Sequence, residues 1–130
     1  MRYEAKPQQK ITSFNDLKAW QEAHALVLLI YKYTELFPEK EKFGLTNQLR
    51  RAAISVSSNI AEGFGRQTFK EKVQFYYHSN GSLLEIKSQL FAAKDLHYIT
   101  VPCFEEAIHQ ADKAQSVLRG LIKSAASKIA

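Results

Sequence analysis

The sequence predicts an all-α protein, an antiparallel up-down-up-down four-helix bundle built as one domain. Three observations lead there. Four stretches carry apolar residues at steps of three and four, the repeat of a helix with one face in a core. The connectors between them are a few residues long and punctuated by Pro38, Gly63 with Gly65, and Pro102, which suits antiparallel neighbours. The length of 130 residues, 45% hydrophobic and 24% charged, is enough for one core and too little for two comfortable ones.

Residues 1–12 contain Pro7, two glutamines, and Arg2, Lys6 and Lys10 against Glu4, without periodicity. They read as a flexible basic N-terminal arm, leaving 13–130 as the bundle domain. Ser13 is expected to cap the first helix, with Asp16 three residues on where its charge suits the helix dipole. Leu17, Trp20, His24, Val27, Tyr31 and Thr34 then mark a stripe widened by Ala23, Leu26 and Ile30. The helix should stop near Phe37, because Pro38 disfavours helical geometry at the residue before it.

After the charged connector EKEKFG, the segment Leu45 to Gly63 carries Leu49, Ala52, Ala53, Val56 and Ile60 on one stripe, and Gly63 with Gly65 supplies the stop. Thr68 with Glu71 fits a capping box for a third helix bearing Phe69, Val73, Tyr76, Leu83, Leu90 and Ala93. A conflict sits inside it. Asn80-Gly81 is a hairpin signal, and Val73, Phe75 and Tyr77 before it with Leu84 and Ile86 after it could alternate as strands. The helical repeat running past the glycine argues for helix, and pattern alone leaves both readings open. Thr100 and Pro102 open the fourth helix, whose stripe of Phe104, Ala107, Ile108, Ala111, Ala114, Leu118, Leu121, Ile122 and Ala125 is the cleanest in the chain.

Enzymatic constellations are scarce. Glu106 and His109 form a Glu-x-x-His pair of the kind di-iron bundles use, but such sites need a second copy plus two more glutamates, and no second Glu-x-x-His exists here. His24, His78 and His97 are isolated, and Cys103 has no partner at disulfide or metal-ligand spacing. Gly63 and Gly65 lack the flanking strand of a phosphate-binding loop. The expectation is a protein that is not an enzyme and carries no cofactor and no metal. No apolar run approaches the roughly 20 residues of a bilayer span and the N-terminus has no apolar leader segment, so a cytoplasmic protein without a membrane partner is expected.

The second helix has another face, where Gln48, Ser55, Asn59 and Glu62 fall at helical steps beside Ala52, and Glu62 has no lysine placed to pair with it. The third repeats the theme with His78, Gly81, Ser82, Glu85 and Ser88. A solvent face favours long charged chains, whereas serine, alanine and glycine let another backbone approach. These stripes are therefore expected to lock helix to helix or subunit to subunit, with a ligand pocket the sharper alternative. Trp20, Tyr76 and Tyr77 are expected in the core rather than as platforms for bases.

Three phrases, FNDLKAWQEAHALVLLIYKYTELFP, FGLTNQLRRAAISVSSNIAEG and HSNGSLLEIKSQL, carry a resemblance in their order and spacing. Over about residues 14 to 123 the chain resembles the four-helix bundle proteins encoded in intervening sequences of bacterial 23S ribosomal RNA genes, and their relatives that serve as accessory proteins of diversity-generating retroelements. The matching motif positions are Gln48, Arg50, Arg51, Ser55, Asn59, Ile60, Glu62, Gly63, Gly81, Ser82 and Glu85. The resemblance implies a bundle that assembles into a homo-oligomer, a pentameric ring, without known enzymatic activity and with nucleic-acid binding in some members. It also tips Asn80-Gly81 toward continuous helix.

Charge adds to this. The net charge of +5 favours an anionic partner. Arg50, Arg51, Arg66, Lys70, Lys72 and Lys123 are the candidate contacts to RNA or DNA phosphates, and a symmetric ring would repeat them into a basic belt. The competing expectation is a scaffold that docks another protein, such as a reverse transcriptase in the retroelement relatives.

Overall fold

A computed structural model describes residues 10–130; residues 1–9 of the expected arm lie outside the described residues. Four helices form an all-helical bundle: α1 (Lys18–Thr34), α2 (Leu45–Phe64), α3 (Phe69–Asp95) and α4 (Val101–Ala126). No strand occurs among the described residues. Each helix packs against its two neighbours in a square, α1 on α2, α2 on α3, α3 on α4 and α4 back on α1, and no backbones approach closely across the diagonals. Chain-adjacent helices run antiparallel: Ser79, Ser82 and Gln89 of α3 meet Val56, Ser55 and Gln48 of α2, and Asn80 and Lys87 meet Gln115 and Asp112 of α4. The beginnings of α1 and α3 share one end of the bundle with the finishes of α2 and α4.

The start of α1 differs from the expectation. Ser13 does not cap it; residues Phe14–Asp16 close a separate 3-10 turn whose donors are gathered by Asp16. The Asp16 carboxylate accepts the backbone N–H groups of Thr12 and Ser13 and the Thr12 hydroxyl, which holds its pKa below the ordinary carboxylate value. Leu17 is extended, and α1 begins after it. Helical geometry ends at Thr34, and a further turn brings Phe37 into the core before Pro38.

Within α1 the buried stripe is Ala19, Ala23, Leu26, Val27, Ile30, Tyr33 and Thr34, rotated from the expected one so that His24 and Tyr31 face out. Helix α2 buries Leu49, Ala52, Ala53, Val56 and Ile60 as its spacing predicts. Helix α3 runs unbroken through Asn80 and Gly81, so the hairpin alternative is excluded: Ser79 and Leu83, on either side of the pair, are fully buried against the bundle. Thr68 caps α3 by accepting the Glu71 N–H, and Thr100 caps α4 by accepting that of Cys103.

Polar contacts fix the helices against one another. Ser79 donates to the Val56 carbonyl across 2.7 Å between α3 and α2. Buried Gln115 of α4 donates to Asn80 and accepts from Lys87 of α3, and Lys87 also pairs with Asp112. The turn from α3 to α4 is a Schellman motif, with Tyr98 N–H bonded to the Ala93 carbonyl and His97 N–H to that of Lys94. Its left-handed position is held by His97, at φ 62°.

Candidate nucleic-acid interface

The six predicted cations divide by position. Arg66 and Lys70 stand where α2 passes into α3, and Lys123 lies in the last turn of α4, at the same end of the bundle. Lys72 is there as well, but its ammonium is committed: it donates to the carbonyls of Gly63 and Phe64 and closes the C-terminus of α2, where a cation suits the helix dipole. Desolvation lowers its pKa from the ordinary lysine value.

Two residues complete this end. Lys18 opens α1, and Lys128 follows α4 with its ammonium 5.4 Å from the centre of the Phe69 ring. Their membership follows from antiparallel packing, which brings together positions more than a hundred residues apart in the chain. The carboxylates here are occupied. Asp16 closes the 3-10 turn, Glu62 pairs with Arg66 at 3.2 Å, and Glu71 accepts from the Thr68 hydroxyl. At the other end Glu35, Glu39, Glu41, Asp95, Glu105 and Glu106 outnumber Lys32, Lys40, Lys42, Lys94 and Arg50, which is paired with Glu35. The bundle is thus polarised in charge along its axis.

Arg50 and Arg51 lie elsewhere, about 22 Å along α2 from Arg66 at the helical rise of 1.5 Å per residue. Arg50 is tied to α1: it donates to the Thr34 hydroxyl at 2.9 Å and pairs with Glu35 at 3.2 Å, and its guanidinium covers the Tyr31 ring at 4.6 Å. Arg51 is exposed and has no hydrogen-bond or charge partner among the described residues. It lines one shallow groove with Tyr31, Asn47 and Ile54, and a second with Gln48, Ser55, Ser82 and Glu85.

The polar stripe is partly a lock between helices. Ser82 donates to Ser55 at 2.9 Å and Gln89 reaches Gln48 at 3.3 Å, joining α3 to α2. Asn59 does not cross; its amide donates to the Ser55 carbonyl and hydroxyl of its own helix. Glu62, expected to be short of lysine partners, pairs with Arg66 one turn on. Glu85 accepts from Gln89, and Gly81 is exposed with open space around its Cα. Gly65 is the C-cap of α2, as expected, and Gly63 lies in the last turn before it, packed under Tyr76.

Of the three aromatics expected in the core, Tyr76 is buried, Trp20 is half-buried and Tyr77 is 58% exposed. The outward position of Tyr77 follows from its neighbour: adjacent residues on a helix point about 100° apart, and Tyr76 takes the core. Tyr77, Leu84 and Phe91 recur at seven-residue steps on the outer face of α3, and all are at least half exposed. Helix α3 is therefore apolar on two faces, one inside the bundle and one outside.

Glu106 of the Glu-x-x-His pair accepts the Tyr33 hydroxyl, and that bond, followed by burial, raises the phenol pKa well above its ordinary value. No group of three or more His, Cys, Asp or Glu residues is placed to hold a metal ion among the described residues. No helix of the described residues is long and apolar enough to cross a membrane.

A sequence model of the 23S rRNA-intervening sequence protein family matches residues 15–120. The chain belongs to this family. The 23S rRNA-intervening sequence protein match runs from the turn before α1 to Gly120 of α4 and so takes in all of α1, α2 and α3. The crystal structure of a protein with unknown function from the S23 ribosomal protein family of Bacteroides thetaiotaomicron superposes with a TM-score of 0.73 at 19% identity, covering 81% of this chain and 95% of the other. At that identity the likeness concerns the fold. No curated protein matches the chain.

Proposed function

We propose that this protein is a non-catalytic bundle that binds RNA or DNA through the basic end formed by Arg66, Lys70, Lys123, Lys18 and Lys128. The observation that supports the reading is the axial polarisation of charge, with carboxylates at this end already occupied by internal partners. Phosphates would meet the Lys18, Lys70, Lys123 and Lys128 ammoniums, none of them paired with a carboxylate among the described residues, and would compete with Glu62 for Arg66. Contacts of this kind give affinity with little sequence preference.

Binding of labelled RNA measured over a salt series tests it. Affinity should fall steeply as salt rises, and Lys70→Glu with Lys123→Glu should weaken it by more than tenfold, since each lost phosphate contact is worth about a unit of salt slope. Arg51→Glu serves as a comparison at the far half of α2 and should have a smaller effect. Binding insensitive to salt, or none at all, would overturn the reading.

A second reading has its own support. The outward stripe of Tyr77, Leu84 and Phe91 is spaced as one side of a helix-to-helix seam, and Arg51 and Glu85 line one groove as opposite charges without an ion-pair partner among the described residues. This face suits another protein surface. The family resemblance supports reading that surface as a second copy of the chain in a pentameric ring, or as a separate protein such as a reverse transcriptase. Light scattering of the purified protein and of Leu84→Glu tests it: the variant should dissociate or lose the partner, and an unchanged assembly would remove the stripe from the interface.

A further inference from the structure

Three cation–ring pairs occupy the basic end: Arg66 over Phe75 at 4.4 Å, Lys72 over Phe64 at 5.4 Å, and Lys128 over Phe69 at 5.4 Å. They differ in what else holds the cation. Arg66 is paired with Glu62, and Lys72 is bonded to two backbone carbonyls. The Lys128 ammonium has neither a carboxylate nor a carbonyl among the described residues, and the ring beneath it is 37% exposed, while those of Phe64 and Phe75 are half-buried. Phe69 is also the first residue of α3, at the rim of the bundle.

We infer that Phe69 and Lys128 form a nucleotide-stacking site, so that the basic end takes single-stranded nucleic acid in preference to duplex. The inference rests on the binding reading above and names its ligand class. A single strand offers each nucleotide as a π-face beside a phosphate, the same pair of features that this ring and this ammonium present. The base stacks on Phe69, the ammonium swings from the ring to the neighbouring phosphate, and Lys70 next to Phe69 supports the following phosphate. A duplex presents only phosphates and keeps its bases in the stack, so it gains nothing from the ring. The exchange is economical, because an exposed cation–ring contact is weak.

The test uses the full chain and three probes: a labelled oligouridylate, an RNA duplex of equal length, and heparin, a polyanion without bases. The wild-type protein should prefer the single strand. Phe69→Ala should weaken single-strand binding about tenfold, as expected for losing one stacked base, and leave duplex and heparin binding within about twofold. Phe69→Leu, which keeps the apolar bulk without the π-face, should behave as Phe69→Ala, and Phe69→Trp should retain binding. Circular dichroism confirms that each variant is folded. Equal losses for all three probes, or an unchanged single-strand affinity in Phe69→Ala, would overturn the stacking site while leaving the basic end intact as a phosphate surface. Failure of the wild-type protein to bind any probe would sink the binding reading itself.

Discussion

The ring of Tyr76 lies where a side chain at Gly63 would have to go: a Cβ built on Gly63 would stand 2.7 Å from Tyr76 Cε1 and 2.9 Å from the Phe75 Cβ. Helices α2 and α3 approach at this point through the missing methyl group. Gly63→Ala should therefore destabilise the bundle by about 1–3 kcal/mol, the usual cost of overpacking, despite alanine's better helix propensity. Gly81→Ala is the counterpart. It sits in mid-helix with nothing within 4 Å of its would-be Cβ, so it should stabilise by about 0.5–1 kcal/mol. Thermal melts of the two variants should shift in opposite directions.

His97 offers a second gain. It occupies the left-handed position of the Schellman turn at φ 62°, where glycine has no steric cost. His97→Gly should raise stability by about 1 kcal/mol, read as a higher denaturation midpoint with an unchanged slope.

Acid stability should depend on Glu41. Its carboxylate accepts the Leu45 N–H at 3.1 Å and the Tyr98 hydroxyl at 3.0 Å, joining the start of α2 to the α3–α4 turn, and the backbone bond, followed by the tyrosine, lowers its pKa. A lowered folded-state pKa means stability that is present above the unfolded value of 4.5 and lost as pH falls through the folded value. In Glu41→Gln this loss should be smaller. Melting temperatures taken from pH 6 downward, to about 2, would show the difference, and parallel curves would contradict it.

At the alkaline side the sign reverses. Tyr33 donates to Glu106, so its folded-state pKa is raised, and its contribution is complete below the unfolded value of 10.0 and declines as pH climbs above it. Tyr33→Phe should start less stable at neutral pH and lose less between pH 9 and 11, about where the unfolded phenol ionises. Denaturant midpoints at those pH values check it.

Asn59 bonds only within its own helix, to Ser55, and Ser55 keeps its bond to Ser82 without it. Asn59→Leu should cost about 0.5–1.5 kcal/mol of stability and leave nucleic-acid affinity within about twofold. Loss of binding at unchanged melting would make Asn59 a contact residue instead.

Much of the fold is legible in the sequence because helical spacing reports burial directly. The stripe of α4 is apolar at every buried position but Gln115, and that of α2 is apolar apart from Thr46, Ser57 and Gly63, so their inner faces are readable, and Thr68 and Thr100 cap as their neighbours suggest. The start of α1 is less legible, since Asp16 draws the preceding backbone into a turn of its own and the helix begins only after Leu17. In α3 two apolar repeats overlap, so Tyr76 and Tyr77 look alike in sequence and take opposite faces. The basic end is least legible of all. Lys18 and Lys128 join Lys70 only through the antiparallel course of the helices, and the commitments of Arg50 to Thr34 and Lys72 to Phe64 arise from tertiary neighbours.

The bonds made by Gln115 have a consequence for how the bundle finds its alignment. The inner face of α4 is rich in alanine, at Ala107, Ala111, Ala114 and Ala125, and such a smooth surface would tolerate sliding by one turn along α3. A slide would strand the buried amide away from Asn80 and Lys87, at a cost of about 1–3 kcal/mol for each unsatisfied group. Gln115 therefore works as an index mark, telling the last helix where along its neighbour to stop.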